Sequence, residues 1–213
     1  MTPEFCLLVV AKAPVPGFAK TRLCPPATHA QAAEIAAAAL LDTLEAVSVT
    51  PGAVPVVATT GDFTAAARQA ELARALWPVE VIPQRGNGFG ERLANAHADV
   101  CHLGLPVLQI GMDTPQVTPE LLADAARNIG EAALGLAEDG GWWALGLRDP
   151  RDAKALADVP MSQPDTGAHT LAALGVSAAT LPTLSDVDTM ADARRVAAIA
   201  GGRFASAVAA VTA

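Results

Sequence analysis

Three cations fall within eleven positions near the start of the chain, in the run Lys12-Ala13-Pro14-Val15-Pro16-Gly17-Phe18-Ala19-Lys20-Thr21-Arg22. Lys12, Lys20 and Arg22 could neutralise the oxygens of a polyphosphate. Gly17 would let a ligand approach the backbone closely, while Pro14 and Pro16 stiffen the loop. The same residues also fit a solvated basic turn. The run matches neither the G-x-x-x-x-G-K-[ST] nor the G-x-G-x-x-G phosphate loop.

Separated carboxylates form the second group. Asp113 stands in Gly111-Met112-Asp113-Thr114-Pro115 at the end of an apolar run, and Pro115 stops regular structure there, leaving the acid in a turn. In Ser185-Asp186-Val187-Asp188-Thr189 the alternation points both acids the same way if the segment is extended. A hard cation takes one or two carboxylates together with phosphate oxygens and water, and Asp113 with Asp188 would supply that pair. Asp188 could instead cap the helix that follows, and Asp186 is assigned to structure rather than to a ligand.

A third acidic feature is Glu138-Asp139-Gly140-Gly141-Trp142-Trp143. Its acids could orient an acceptor or assist a second metal, with the glycines leaving room, or the whole could be a hairpin turn. Adjacent tryptophans on a strand face opposite sides, so one belongs to the core and the other to the site or solvent. The four histidines lack metal-ligand spacing, and His29, His97 and His102 are expected on helix surfaces. No Ser/His/Asp or Cys/His grouping suggests a covalent nucleophile.

These residues need elements to hold them. Phe5–Val10, Val54–Thr59, Val79–Ile82 and Pro106–Ile110 read as buried strands. Thr28–Val47, Thr64–Leu76 and Gly90–His102 read as helices, the first opened by the capping box Thr28-x-x-Gln31. Another helix begins at Thr118-Pro119-Glu120, and one more spans Ala191–Ala200. This alternation predicts a mostly parallel sheet with helices on both faces, and ligands in such sheets bind beyond the carboxyl ends of the strands. Ala132–Ala137 and Trp142–Leu147 read as strands joined too tightly for a helical crossover. The second should therefore run antiparallel or leave the sheet.

Composition bounds the function. The chain has 213 residues with 14 basic and 22 acidic side chains, a net charge of −8, and alanine alone fills 48 positions. An acidic chain poor in aromatics does not suit nucleic-acid binding. The first apolar run is too short for a membrane span and lacks the flank of a signal peptide. Cys6, Cys24 and Cys101 are too far apart for a Cys-x-x-Cys pair and read as reduced thiols, so a cytoplasmic location is expected.

Five motifs occur together: Lys-Ala-Pro-Val-Pro-Gly-x-x-Lys-Thr-Arg-Leu, Gly90-Glu91-Arg92-Leu93, Gly111-x-Asp113-Thr114-Pro115, Glu138-Asp139-Gly140-Gly141-Trp142 and Asp186-Val187-Asp188-Thr189. In order and spacing the chain resembles a bacterial glycosyltransferase-like family related to 2-phospholactate guanylyltransferases, within the nucleotide-diphospho-sugar transferase superfamily. The resemblance implies a GT-A (Rossmann-like) α/β three-layer sandwich with a mixed, mostly parallel sheet, as one domain over residues 1–213. It implies that Lys12, Lys20 and Arg22 meet the phosphates of an NTP or NDP-sugar and that Asp113 and Asp188 hold Mg²⁺ or Mn²⁺. Gln84 and the glycine-rich turn containing Gly88 match the place where relatives contact the base. Glu138, Asp139, Gly140, Gly141, Trp142 and Ser162 fall on the acceptor side. The expected activity is a metal-dependent glycosyl- or nucleotidyltransfer from a nucleotide donor to a small-molecule acceptor. The alternatives are a nucleotide-binding module without turnover and a Mg²⁺-dependent phosphohydrolase.

Overall fold

The structure, a computed structural model, describes residues 3–211, so the two residues at each end of the expected 1–213 unit lie outside it. Seven strands form one sheet: β1 (Phe5–Lys12), β2 (Ala53–Thr60), β3 (Glu80–Pro83), β4 (Val107–Gly111), β5 (Ala132–Ala137), β6 (Trp142–Leu147) and β7 (Ala178–Leu184). Their order is β3-β2-β1-β4-β6-β5-β7. β1 to β4 are mutually parallel, β6 runs antiparallel to both β4 and β5, and β7 is parallel to β5. The expected mixed sheet is present. The four-residue turn between β5 and β6 is why β6 reverses, since no crossover fits in it.

The helices are α1 (His29–Ser48), α2 (Gln69–Leu76), α3 (Phe89–Asp99), α4 (Pro119–Arg127), α5 (Thr166–Leu174), α6 (Met190–Ala200) and α7 (Gly202–Ala209). Strand alternation sorts the core into two sides. Leu7 and Val9 of β1 pack with Leu40, Leu72 and Leu122 of α1, α2 and α4. Val10 faces the other way, toward Leu93 of α3 and Leu156 of the 3₁₀ segment Pro150–Asp158. The alanine of the composition finds its use in α1, which is covered on both sides. Ala36 and Ala37 meet the sheet, while Ala32, Ile35 and Ala39 meet α6 and α7 through Met190, Ala193 and Phe204. Only short side chains let a helix be buried against two layers at close-packed density.

Several elements differ from expectation. The helix expected over Thr64–Leu76 begins at Gln69, because Asp62 accepts the Thr64 amide and hydroxyl and holds Phe63–Ala65 in a 3₁₀ turn. α3 stops at Asp99, and Cys101–Leu103 forms a separate turn. His97 is not on a surface. It is fully buried on the sheet-facing side of α3, bonded through Nε2 to Gln109 Oε1 at 3.0 Å, and burial pushes its pKa down to about 4 against the opposing pull of that bond. His29 and His102 are exposed, and Cys6 is a buried strand residue as expected. The three cysteines are unpaired. Among the described residues no helix is long and apolar enough to cross a membrane.

The topology fixes where a ligand belongs. From β1 the chain winds outward to β2 and β3, then returns to place β4 on the opposite side of β1. The carboxyl ends of β1 and β4 flank the point where strand order reverses, and adjacent loops there diverge to leave a crevice.

Candidate active site

A cleft of about 660 Å³ opens at that point. Lys12 ends β1, Asp113 follows β4, and the segment after β7 brings Asp186 and Asp188 across to them. Two backbone-directed bonds hold that segment: the Val187 N–H donates to the Asp113 carbonyl at 3.0 Å, and Gln116 Nε2 donates to the Ser185 carbonyl at 2.6 Å. Val187 is buried, so the acids on either side of it face the cleft, as the alternation predicts. Asp188 is not a helix cap. Thr189 takes that role with Asp192 in a capping box, which leaves the Asp188 carboxylate to the cleft.

Carboxylate oxygens of Asp113, Asp186 and Asp188 all lie within 4.8 Å of one another. Oxygens bound to one hard divalent cation lie roughly 3–5 Å apart, so the three acids could hold such an ion. Asp186, assigned from sequence to a structural role, therefore belongs to this cluster. Its pKa is raised to about 6, by burial first and then by repulsion from Asp139, Asp113 and Asp188, with Lys20 opposing.

The basic loop meets the acids. Lys20 Nζ donates to Asp113 Oδ2 at 2.9 Å and to Asp188 Oδ1 at 3.0 Å, and Arg22 Nη1 donates to Asp188 Oδ2 at 3.0 Å. Burial works against the Lys20 charge, but the two carboxylates outweigh it and hold the ammonium above its ordinary pKa. Lys20 has φ +48°, a left-handed conformation costly for a residue with a side chain, and Ser162 across the cleft has φ +60°. Lys12 lines the cleft, yet its ammonium bonds the Phe18 carbonyl at 2.5 Å and so closes the loop on itself. The Lys12 N–H donates to Met112 Sδ at 3.1 Å, tying the ends of β1 and β4 together.

Gln84 lies beside the end of β3, its Nε2 donating to the carbonyls of Ala11 and Ala58 at 3.1 and 2.9 Å, so only its carbonyl oxygen is left for a ligand. On the opposite wall stand Asp139, Gly141, Trp142 and Ser162. Both tryptophans border the cleft: Trp143 is buried in the core behind it, and Trp142 is the more exposed, its Nε1 bonded to Thr170 Oγ1 at 3.1 Å. Gly140 has φ +90°, and a side chain there would run into the Pro164 carbonyl, while its own carbonyl accepts the Gly167 N–H at 2.9 Å. The glycines thus seat the segment Met161–Thr166 against the turn.

The cleft brings together Lys12, Lys20, Arg22, Gln84, Asp113, Asp139, Gly141, Trp142, Ser162 and Asp188. Pro16, Gly17, Gly88, Glu138 and Gly140 do not line it. Glu138 turns outward to Arg195, and Gly88 is the residue before α3. Sequence reasoning passed over Phe89 and Arg92, which line the cleft from the first turn of α3, Arg92 stacked 5.6 Å over the Phe89 ring. The signal was available in Gly90-Glu91-Arg92-Leu93, which opens a helix directly after a glycine-rich turn.

Residues 43–163 match the profile of a family described as "Uncharacterized protein conserved in bacteria (DUF2064)". No curated protein matches the chain. Among solved structures, a candidate nucleotide-diphospho-sugar transferase from Desulfovibrio desulfuricans G20 superposes with a TM-score of 0.83 at 23% identity, covering 98% of this chain and 95% of that one. Rv0371c from Mycobacterium tuberculosis H37Rv, in complex with manganese, gives 0.56 at 20% identity over 92% and 98%. A 4-diphosphocytidyl-2C-methyl-D-erythritol synthase from Anaerococcus prevotii DSM 20548 gives 0.58 at 10% identity over 97% and 96%. The fold is that of nucleotide-diphospho-sugar transferases and cytidylyltransferases, as the sequence motifs implied.

Proposed function

We propose that this chain, which belongs to the DUF2064 family, is a metal-dependent transferase that takes its donor from a nucleoside triphosphate or a nucleotide-sugar. The observation that carries the reading is the cluster of Asp113, Asp186 and Asp188 at the switch point, in direct contact with the cationic loop through Lys20 and Arg22. A divalent ion held there would supply charge neutralisation to a departing diphosphate or pyrophosphate.

The rest is done by side chains. Lys20 and Arg22 stand where donor phosphates would meet the acids, so each could leave its carboxylate for a phosphate oxygen once a divalent ion takes the cluster. Lys12, by bonding the Phe18 carbonyl, keeps the loop in shape. Gln84 would offer its fixed carbonyl oxygen to a base. Asp139, Gly141, Trp142 and Ser162 form the wall against which an acceptor would be held in line with the bond that breaks. No covalent intermediate is needed.

A second reading rests on Lys20 itself. Its ammonium already bridges Asp113 and Asp188, as it would in a nucleotide-binding module that works without a metal. One experiment separates the two: isothermal titration of nucleoside triphosphates and nucleotide-sugars with Mg²⁺, with Mn²⁺ and with EDTA, followed by assay for pyrophosphate and nucleoside diphosphate release. Nucleotide binding that needs the ion, with either product formed, supports the transferase. Binding indifferent to EDTA with no product supports the module.

A further inference from the structure

Arg92 lines the cleft from the first turn of α3, apart from the cationic loop, and among the described residues has no anion beside it. Of the cations lining the cleft, Lys12 is bonded to a carbonyl and Lys20 and Arg22 to carboxylates. Arg92, among the described residues, has no acidic partner, although four carboxylates line the same cleft. Its Nε is buried without any hydrogen-bond partner. The guanidinium carbon lies 5.6 Å from the centre of the Phe89 ring, a cation–π contact that uses none of its N–H groups. A half-buried guanidinium lining a cleft with no acidic partner is suited to bond a planar or tetrahedral oxyanion.

Its placement says which substrate carries that oxyanion. The first turn of α3 lies against the acceptor-side wall: a side chain at Gly90 would run into the Leu156 carbonyl and come within 3.4 Å of Met161 Cε. Met161 begins the segment that Ser162 and Thr166 carry into the cleft. The donor's phosphates have their own cations on a different element, the loop after β1. We infer that Arg92 binds a carboxylate or phosphate group of the acceptor, so that the acceptor is a small anionic molecule. This rests on the transferase reading for the word acceptor, while the oxyanion site itself does not depend on it.

The Arg92 Nε–H can be observed directly by ¹⁵N–¹H spectroscopy of arginine side chains, and its loss in Arg92→Lys assigns it. The whole chain is titrated in EDTA with inorganic phosphate and, separately, with acetate. The expected result is a saturable shift of the Arg92 Nε–H with at least one probe, and the probe acting at lower concentration names the acid. Arg92→Gln should weaken that probe about fivefold or more, read at the Phe89 and Leu93 amides. An Nε–H that stays fixed to about 50 mM of both probes, while amides of the Lys20–Arg22 loop move, overturns the inference. Nucleotide titration into Arg92→Gln gives the second check. Affinity within about twofold of wild type supports the acceptor assignment, and a tenfold loss hands Arg92 to the donor and overturns it. Should the unaltered chain bind no nucleotide with any ion, the transferase reading falls, and with it the acceptor. The phosphate or acetate shift would still decide the oxyanion site.

Discussion

Under the proposed function Lys20 and a divalent ion would compete for the carboxylates of Asp113 and Asp188, and Lys20→Met tests that competition. At an effective dielectric of about 20, contacts of 2.9 and 3.0 Å each carry roughly 5–6 kcal/mol of gross attraction. Desolvation of the ammonium takes back much of this, and removing one partner from a fully buried pair typically costs about 3–5 kcal/mol. Here Lys20 is 16% exposed while Asp113 and Asp188 keep 34% and 33%, so water relieves part of the unpaired charge. The net loss for Lys20→Met in EDTA is then about 2 kcal/mol, or roughly 4–8 °C in Tm for a chain of this size. The three acids left behind repel one another and gain from any cation. Mn²⁺ at about a hundredfold over its Kd contributes about 2.7 kcal/mol to the state that binds it. In the unaltered chain that gain is reduced by the cost of displacing Lys20, so Mn²⁺ should raise Tm in the variant by at least a few degrees more. Differential scanning fluorimetry with EDTA and with Mn²⁺ measures both. An equal Mn²⁺ response in the two proteins would refute the competition.

The other predictions concern groups whose surroundings are equally specific. Asp186, with its pKa near 6 against about 3.8 unfolded, binds more protons in the native state, so the fold loses stability as pH rises from about 4 to 6. Asp186→Asn should therefore raise the urea midpoint at about pH 7.5 and leave it unchanged at about pH 4; a pH-independent effect would contradict this. His97 is held neutral down to about pH 4, whereas an unfolded histidine protonates near 6.5. Stability should fall by up to about 3 kcal/mol as pH drops through that window, and His97→Gln should remove this part of the acid sensitivity in urea melts. Gly140→Ala forces a β-carbon into the Pro164 carbonyl at a φ of +90°, and at least about 2 kcal/mol of stability should be lost. A loss under about 0.5 kcal/mol would show that the turn does not hold the Met161–Thr166 segment.

The sequence patterns that proved readable were those whose physics is local. Alternating short apolar runs predicted β1 to β6, and the hydroxyls Thr28 and Thr118 marked the starts of α1 and α4 because each satisfies helix N–H groups within its own first turn. β7 escaped notice because Ala178–Leu184 is an edge strand, half exposed and broken by Pro182, with no apolar run to display. His97 was misplaced for the opposite reason. It sits in a polar-looking helix, and once buried it is bonded to Gln109 on β4, a partner that only the tertiary structure supplies.

The same division runs through the site. Asp113 and Lys20 each sit in a turn beyond a readable strand, so their rim could be inferred from α/β topology alone. The role of Asp188 depended on a contest that sequence leaves open, between capping a helix and facing a ligand. Thr189 decides it, because a hydroxyl at the cap with Asp192 three residues on satisfies the first turn without Asp188. With the cap filled, burial of Val187 and its bond to the Asp113 carbonyl leave both neighbouring acids only one direction to face. Three converging carboxylates repel one another, and a cation beside them relieves that repulsion. Lys20 supplies one from within the chain, at a backbone angle unfavourable to any residue with a side chain. That strain is tolerable if the position serves something besides stability, and under the proposed function a divalent ion would replace the ion pair and free the loop for the donor's phosphates.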